Sequence, residues 1–258
     1  MGSADMTVSF DQKCENVSRF ENTIDSRISN VKFFRRRHGP TKSGQNDEPG
    51  ATAADAPARA RLVPTQQRSR ERFERILASA SEVMIEKGCD AFRMSDIVER
   101  TGISFGSLYQ YFPDKAAVIG TLAERYNEAG HDCVRRDLAA MKSLDDLYAT
   151  LARITDSYYR MFVDEPLMRD IWRATQADRA LQALDRADGE FLAGLLADAL
   201  RELAPAVPDV QLAAFSELTM VLIAAAVRHA IELPPKAARR ILAMFKQTLP
   251  ENLSVLDS

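Results

Sequence analysis

Between Ser104 and Lys115 the chain concentrates side chains able to hold a polyanion and to read it. Ser104 and Ser107 bring hydroxyls, Tyr109 and Tyr111 phenols, Gln110 a paired donor and acceptor, and Lys115 an ammonium. A carboxamide matches the N6/N7 edge of adenine, whereas hydroxyls, phenols and an ammonium suit phosphate oxygens. Gly106 keeps the segment slim enough to approach a groove closely, and Phe105 can meet a thymine methyl or simply pack. Ser95 adds a hydroxyl upstream that, like Ser104, can bring helix N-terminal amides to the same backbone.

Nothing comparable favours bond-making chemistry. The sequence holds no nucleophile elbow, phosphate-binding glycine loop or paired-carboxylate arrangement, so it is not expected to be an enzyme or to need a cofactor. Cys14, Cys89 and Cys133 are odd in number and lack a CxxC pair, which speaks against a disulfide framework or zinc site and fits a reducing cytoplasm. His131 and His229 read as surface or satisfied core, and no metal site follows. A net charge of −3 excludes a protein coated in positive potential but leaves room for a local basic surface.

The elements that must position these residues follow from apolar spacing. Phe73, Ile76, Leu77, Ala80, Val83 and Met84 mark one face of a first helix, which Gly88 ends in the left-handed conformation. Ser95 is expected to cap a short second helix carrying Ile97 and Val98, with Gly102 as its stop. Ser104 caps a third, which carries Phe105 to Phe112 and halts before Pro113. Two short helices joined by Gly102-Ile103-Ser104 make a helix-turn-helix. Leu108 and Phe112 point inward, leaving Ser107, Tyr109, Gln110 and Tyr111 outside. Asp114 caps a fourth helix running towards Ala140.

Five further helical segments, at about 144–163, 166–178, 181–203, 209–233 and 236–248, are separated by Pro166, Pro205, Pro208 and the Pro234-Pro235 pair. The chain is thus expected to be all-α: an N-terminal three-helix helix-turn-helix domain at 65–125, then a larger C-terminal helical bundle at 126–258. Residues 1–64 lack a sustained apolar period and are expected to be a disordered extension, with a misassigned start of translation as the alternative. Within them, Phe33-Phe34-Arg35-Arg36-Arg37-His38 reads as a solvated charge cluster. The N-terminus lacks the apolar core of a secretion signal, and the Leu218–Val227 run is too short to cross a bilayer, so a soluble cytoplasmic protein without a membrane partner is expected.

The run Asp96-Ile-Val-Glu-Arg-Thr-Gly-Ile-Ser-Phe-Gly-Ser-Leu-Tyr-Gln-Tyr-Phe-Pro-Asp-Lys115 strongly resembles the signature of TetR-family transcriptional regulators over about sixty residues. In that family a short helix passes through a Gly-hydrophobic-Ser turn to Leu-Tyr-x-Tyr/His-Phe and a nearby lysine. The resemblance implies that Ser95, Ser104, Phe105, Gly106, Ser107, Tyr109, Gln110, Tyr111 and Lys115 form a DNA-binding set, with Tyr111 and Lys115 on phosphates. Phe105 and Arg93 depart from the family, where a polar or basic residue and a capping threonine are common. Nine basic and nine acidic residues between Gln66 and Arg125 leave that stretch neutral, so an arm carrying Arg59, Arg61, Arg68, Arg70, Arg72 and Arg75 is expected to help along phosphates or the minor groove.

In the C-terminal half, Leu218–Val227 is apolar all round, so one face meets its own domain and another needs further cover. The resemblance implies a homodimer through the last two long helices. Tyr158, Met161, Phe162, Met168, Trp172, Phe191 and Leu195 form a bulky, adaptable set that either lines a ligand cavity or is plain core. The resulting expectation is a ligand-responsive dimeric regulator of double-stranded DNA, a repressor released from a palindromic operator by a small, largely apolar effector. A non-specific structural DNA-binding protein and a helical enzyme carrying the same motif are the other classes.

Overall fold

Helices alone carry the described part of the chain, residues 67–256 of the computed structural model, with no strand among them. In chain order they are α1 (Gln67–Ala91), α2 (Met94–Thr101), α3 (Phe105–Tyr111), α4 (Lys115–Ala139), α5 (Leu147–Asp164), α6 (Pro166–Ala177), α7 (Arg179–Leu203), α8 (Asp209–Ala230) and α9 (Pro235–Lys246). Residues 1–64 and the arm residues Arg59 and Arg61 lie outside the described part.

Local signals set most of these boundaries. Gly88 departs from the left-handed stop expected of it: its φ 81°, ψ 157° lie in an extended region open essentially to glycine and kink α1, which resumes and runs to Ala91. Gly102 closes α2 in the left-handed conformation, its amide donating to the Val98 carbonyl. Ser104 and Asp114 cap α3 and α4, their side-chain oxygens accepting from the amides of Ser107 at 3.2 Å and Ala117 at 2.8 Å. The second helix differs from expectation: it starts at Met94 with Arg93 in the cap position, and Ser95 sits in its first turn. Asp96 explains the shift, because its carboxylate accepts from the Arg93 amide at 2.8 Å and closes the helix start from within.

The N-terminal helices bury Ile76, Leu77, Met84, Phe92, Ile97, Leu108 and Phe112 together with Val118, Ile119 and Leu122 of α4. That core does not stop at the fourth helix. Leu167 and Ile171 of α6 and Leu181 and Leu184 of α7 belong to the same packed cluster. Arg125 of α4 reaches Glu74 at 2.6 Å, and Arg100 of α2 reaches Glu82 and Glu86 at 3.1 and 2.6 Å, tying both helices back to α1. A second core joins α4, α5, α7 and α8 through Leu138, Leu147, Leu151, Leu196, Leu200, Leu212 and Phe215. The eighth helix corrects the expectation drawn from Leu218–Val227: with its flanking residues it is long and apolar enough to span a bilayer by length and composition. In this fold it turns Leu212, Phe215, Met220, Ile223 and Val227 into the bundle.

Gly88→Ala is expected to cost about 1–3 kcal/mol through backbone strain alone, since a Cβ there meets nothing within 4 Å; chemical denaturation measures it. Asp96→Ala should cost about 1 kcal/mol by loss of the helix closure. Hydrogen bonds from Lys87 and then from the Arg93 amide hold the Asp96 carboxyl below its usual range. Its folded value being depressed, the contribution is complete above the unfolded value and fades as pH falls through the folded one, so mutant and parent stabilities should converge in acid.

Candidate nucleic-acid interface and internal cavity

Seven residues make α3, too few to stand without packing, and its inner face is what holds it. Leu108, Tyr111 and the following Phe112 are buried together. Tyr111 therefore corrects the expected outer face: at three residues past Leu108 it falls on the same side of the helix, and it is only 4% exposed. Its ring lies 6.2 Å from that of Phe73, and its hydroxyl meets Ser69 Oγ at 2.9 Å. The phenol thus ties the end of α3 to the start of α1.

The outer face that remains is Phe105, Gly106, Tyr109 and Gln110, with Ser107 half-buried. Phe105 and Tyr109 are 46% and 42% exposed and stack at 6.2 Å with 21° between ring planes, an apolar ridge left uncovered among the described residues. Among the described residues nothing lies within 4 Å of a Cβ built on Gly106, so they leave the approach to the helix start open. Ser95 is exposed, and Ser104 is exposed with its hydroxyl engaged in the cap. Lys115 has an internal partner unseen from sequence: its Nζ donates to the Asp90 carbonyl at 2.9 Å and sits 5.9 Å from the Phe92 ring. Arg68, Arg70, Arg72 and Arg75 are exposed along the start of α1, and Arg72 approaches Ser107 Oγ at 3.5 Å.

Away from this face, α4, α5, α6, α7 and α8 enclose a cavity of about 560 Å³. Tyr158, Met161, Phe162, Met168 and Trp172 line it, as their bulk suggested. Phe191 and Leu195 are not among its lining residues. Phe191 turns outward on α7, 41% exposed, against the His131 ring at 4.3 Å and under Arg135 at 5.2 Å, while Leu195 packs against the second core. Three lining residues, Ala123, Ile171 and Leu184, also belong to the core of the N-terminal helices.

The polar end of the cavity contains residues that sequence reasoning passed over. Arg228 of α8 pairs with Asp185 of α7, and its guanidinium lies 5.4 Å from the Trp172 ring centroid. Burial pushes the Tyr158 phenol up, with Arg228 beside it pulling the other way. His131 meets Asp188 at 2.6 Å, whereas His229 is exposed. An arginine one step beyond Val227, on a helix apolar all round, was the available signal. Among the described residues no group of three His, Cys, Asp or Glu side chains is placed to hold a metal. Burial pushes the Cys89 thiol up to about 11, which leaves it protonated and unreactive.

One more surface stands out. Leu218, Val221 and Leu222 of α8 are 60%, 56% and 48% exposed and share a stripe, and Met244 of α9 is 64% exposed. Glu217, Val221 and Ala225 lie on that side of α8 and also line the cavity, which therefore opens beside the stripe.

Comparison with known proteins agrees with this geometry. Residues 76–121 match the family model for bacterial regulatory proteins of the tetR family, and residues 145–256 match that for the tetracyclin repressor-like C-terminal domain. An uncharacterized HTH-type transcriptional regulator, YvdT of Bacillus subtilis, is 45% identical over 53 residues, or 20% of this chain and 27% of that one. The chain spans between about a quarter and about half the length of the curated relatives it matches. A TetR-family transcriptional regulator from Pectobacterium atrosepticum shares the fold at TM-score 0.56 and 18% identity, over 71% of this chain and 93% of its own. RolR, solved in complex with the ligand resorcinol, does so at TM-score 0.51 and 21% identity, over 71% and 89%. With both halves matched, and with the helix-turn-helix and C-terminal helical domain that the fold displays, the chain belongs to the TetR family of bacterial regulatory proteins.

Proposed function

We propose that this protein is a transcriptional regulator that binds a palindromic operator as a homodimer and is released from it by a small, largely apolar effector. The observation that carries the reading is the double membership of Ala123, Ile171 and Leu184, which line the cavity and also pack against the DNA-binding helices. A close-packed interior transmits strain, so an effector that presses these shared residues apart shifts the seat of α1–α4. Two recognition helices serve successive major grooves only at a separation of about 34 Å, and an effector that alters that separation lowers DNA affinity.

The homodimer rests on the exposed stripe of α8 and on Met244 of α9, apolar surface that a second copy covers through a two-fold axis. That partner also closes the mouth of the cavity beside Val221. Resorcinol in RolR is a small aromatic molecule of the kind the Trp172 end accommodates. On DNA, Gln110 and the Phe105–Tyr109 ridge face base edges, with Gly106 allowing close approach. Ser95, Ser104, Ser107, Lys115 and the α1 arginines hold phosphates, and Tyr111 acts through its bond to Ser69 by fixing the angle of α3. The protein works in the cytoplasm, where operators are.

Selection of bound sites from random DNA should return a two-fold symmetric sequence, and recovery of unrelated duplexes at equal affinity would reduce the protein to non-specific binding. On the selected site, Lys115→Ala should lower the slope of log affinity against log salt by about 0.9, one phosphate contact; an unchanged slope assigns Lys115 to the Asp90 carbonyl alone. Gln110→Ala should alter which bases are preferred, by about 1–3 kcal/mol at one position, and equal losses on cognate and scrambled DNA would end that assignment.

A further inference from the structure

Trp172 Nε1 and Arg228 Nε are both buried and meet no acceptor among the described residues. Both side chains line the cavity, and the Arg228 guanidinium stands 5.4 Å from the Trp172 ring centroid, so the two side chains meet at one end of it. A buried donor without an acceptor is costly, and native interiors leave few. The nearby acceptors are the Tyr158 phenol, which lies beside Arg228, and three carboxylates that have partners of their own. Asp185 takes Arg228 on Oδ1 and Gln176 on Oδ2, the latter at 3.2 Å, and Asp188 takes His131. Asp137, further along the lining, faces Arg153 at 3.6 Å.

We propose that the effector carries an uncharged oxygen acceptor, a carbonyl, ester or phenolic oxygen, which receives the Trp172 Nε1 and Arg228 Nε protons while an aromatic body fills the space between Tyr158, Phe162 and Met168. The inference rests on the cavity being the effector site. A cation is disfavoured because the carboxylates at this end are paired and the unmet groups are donors. An anion is disfavoured because Arg228 is already neutralised by Asp185, and Asp137 and Asp188 share the lining. Phe162 and Trp172 meet edge to face at 6.4 Å, as do Tyr158 and Phe162 at 5.1 Å, which favours a flat occupant presenting edges and faces in turn. The volume of about 560 Å³ suits a molecule of two rings.

Isothermal titration of the full chain with benzophenone, diphenylmethane, diphenylmethylammonium and diphenylacetate tests this directly, since the first two differ only by the carbonyl. Benzophenone should bind about five- to tenfold more tightly than diphenylmethane, the net gain of two hydrogen bonds to one carbonyl after its desolvation, and more tightly than either ion. Trp172→Phe keeps the ring and loses the N–H, and Arg228→Lys keeps the charge and loses Nε; each should shrink the preference to about twofold. Equal binding of the two neutral probes, tighter binding of either ion, or a preference undiminished in both variants overturns the acceptor assignment while leaving the effector-site reading intact. No binding by any probe up to about 1 mM overturns both. Should either variant fail to fold, the comparison of neutral probes on the parent chain decides alone.

Discussion

Leu167, Ile171, Leu181 and Leu184 lie on helices of the C-terminal half, yet they are buried in the core of the DNA-binding helices. Everything else in the molecule is arranged around that shared packing. A bundle of α1, α2, α3 and the start of α4 by itself would leave the far side of α1 and α4 open to water; α6 and α7 close it. The recognition helix is consequently held at a fixed attitude to the C-terminal half rather than hanging from a single connecting helix. Any change in the spacing of α6 and α7 is felt at the seat of α1 and α4, because close-packed side chains move in concert rather than compress.

The seven-residue α3 makes the same point at smaller scale. Its stability comes from Leu108, Tyr111 and Phe112 pressed into the core and from the Ser104 cap, while Phe105, Gly106, Tyr109 and Gln110 contribute little to holding it in place. That division leaves the outer residues free to be chosen for what they meet. The Phe105–Tyr109 ridge is an instance, since two stacked aromatic rings exposed on a short helix serve the fold poorly and suit an apolar feature such as a thymine methyl.

Much of this was legible in the chain's own pattern, and the exceptions have physical reasons. The helix count, the glycine stop at Gly102 and the caps at Ser104 and Asp114 depend on neighbours within four residues, so spacing alone finds them. Arg93 took the cap from Ser95 because Asp96 closes that helix from its third position, a competition between adjacent polar residues that propensity does not resolve. Tyr111 lies on the inner face rather than the outer one because a phenol suits water or core equally, and the partner that decides it, Ser69, lies 42 residues away. Phe191 and Leu195 share the bulk of the true cavity residues but face outward and into the second core, a matter of helix rotation that bulk cannot reveal.

Arg228 shows why the cavity's polar end was the hardest feature to foresee. Sequence presents α8 as an apolar helix in search of cover, and hydropathy treats its arginine as a C-terminal charge suited to the helix dipole. In three dimensions the helix serves three surroundings at once: Leu212 and Phe215 face the bundle, Leu218 and Leu222 face outward, and Ala224 and Arg228 line the cavity, with Met220 and Ile223 shared between bundle and cavity. The cavity side holds a charge because Asp185 of α7 and the face of Trp172 of α6 arrive together to compensate it. A guanidinium held that way has its charge satisfied but not all of its donors.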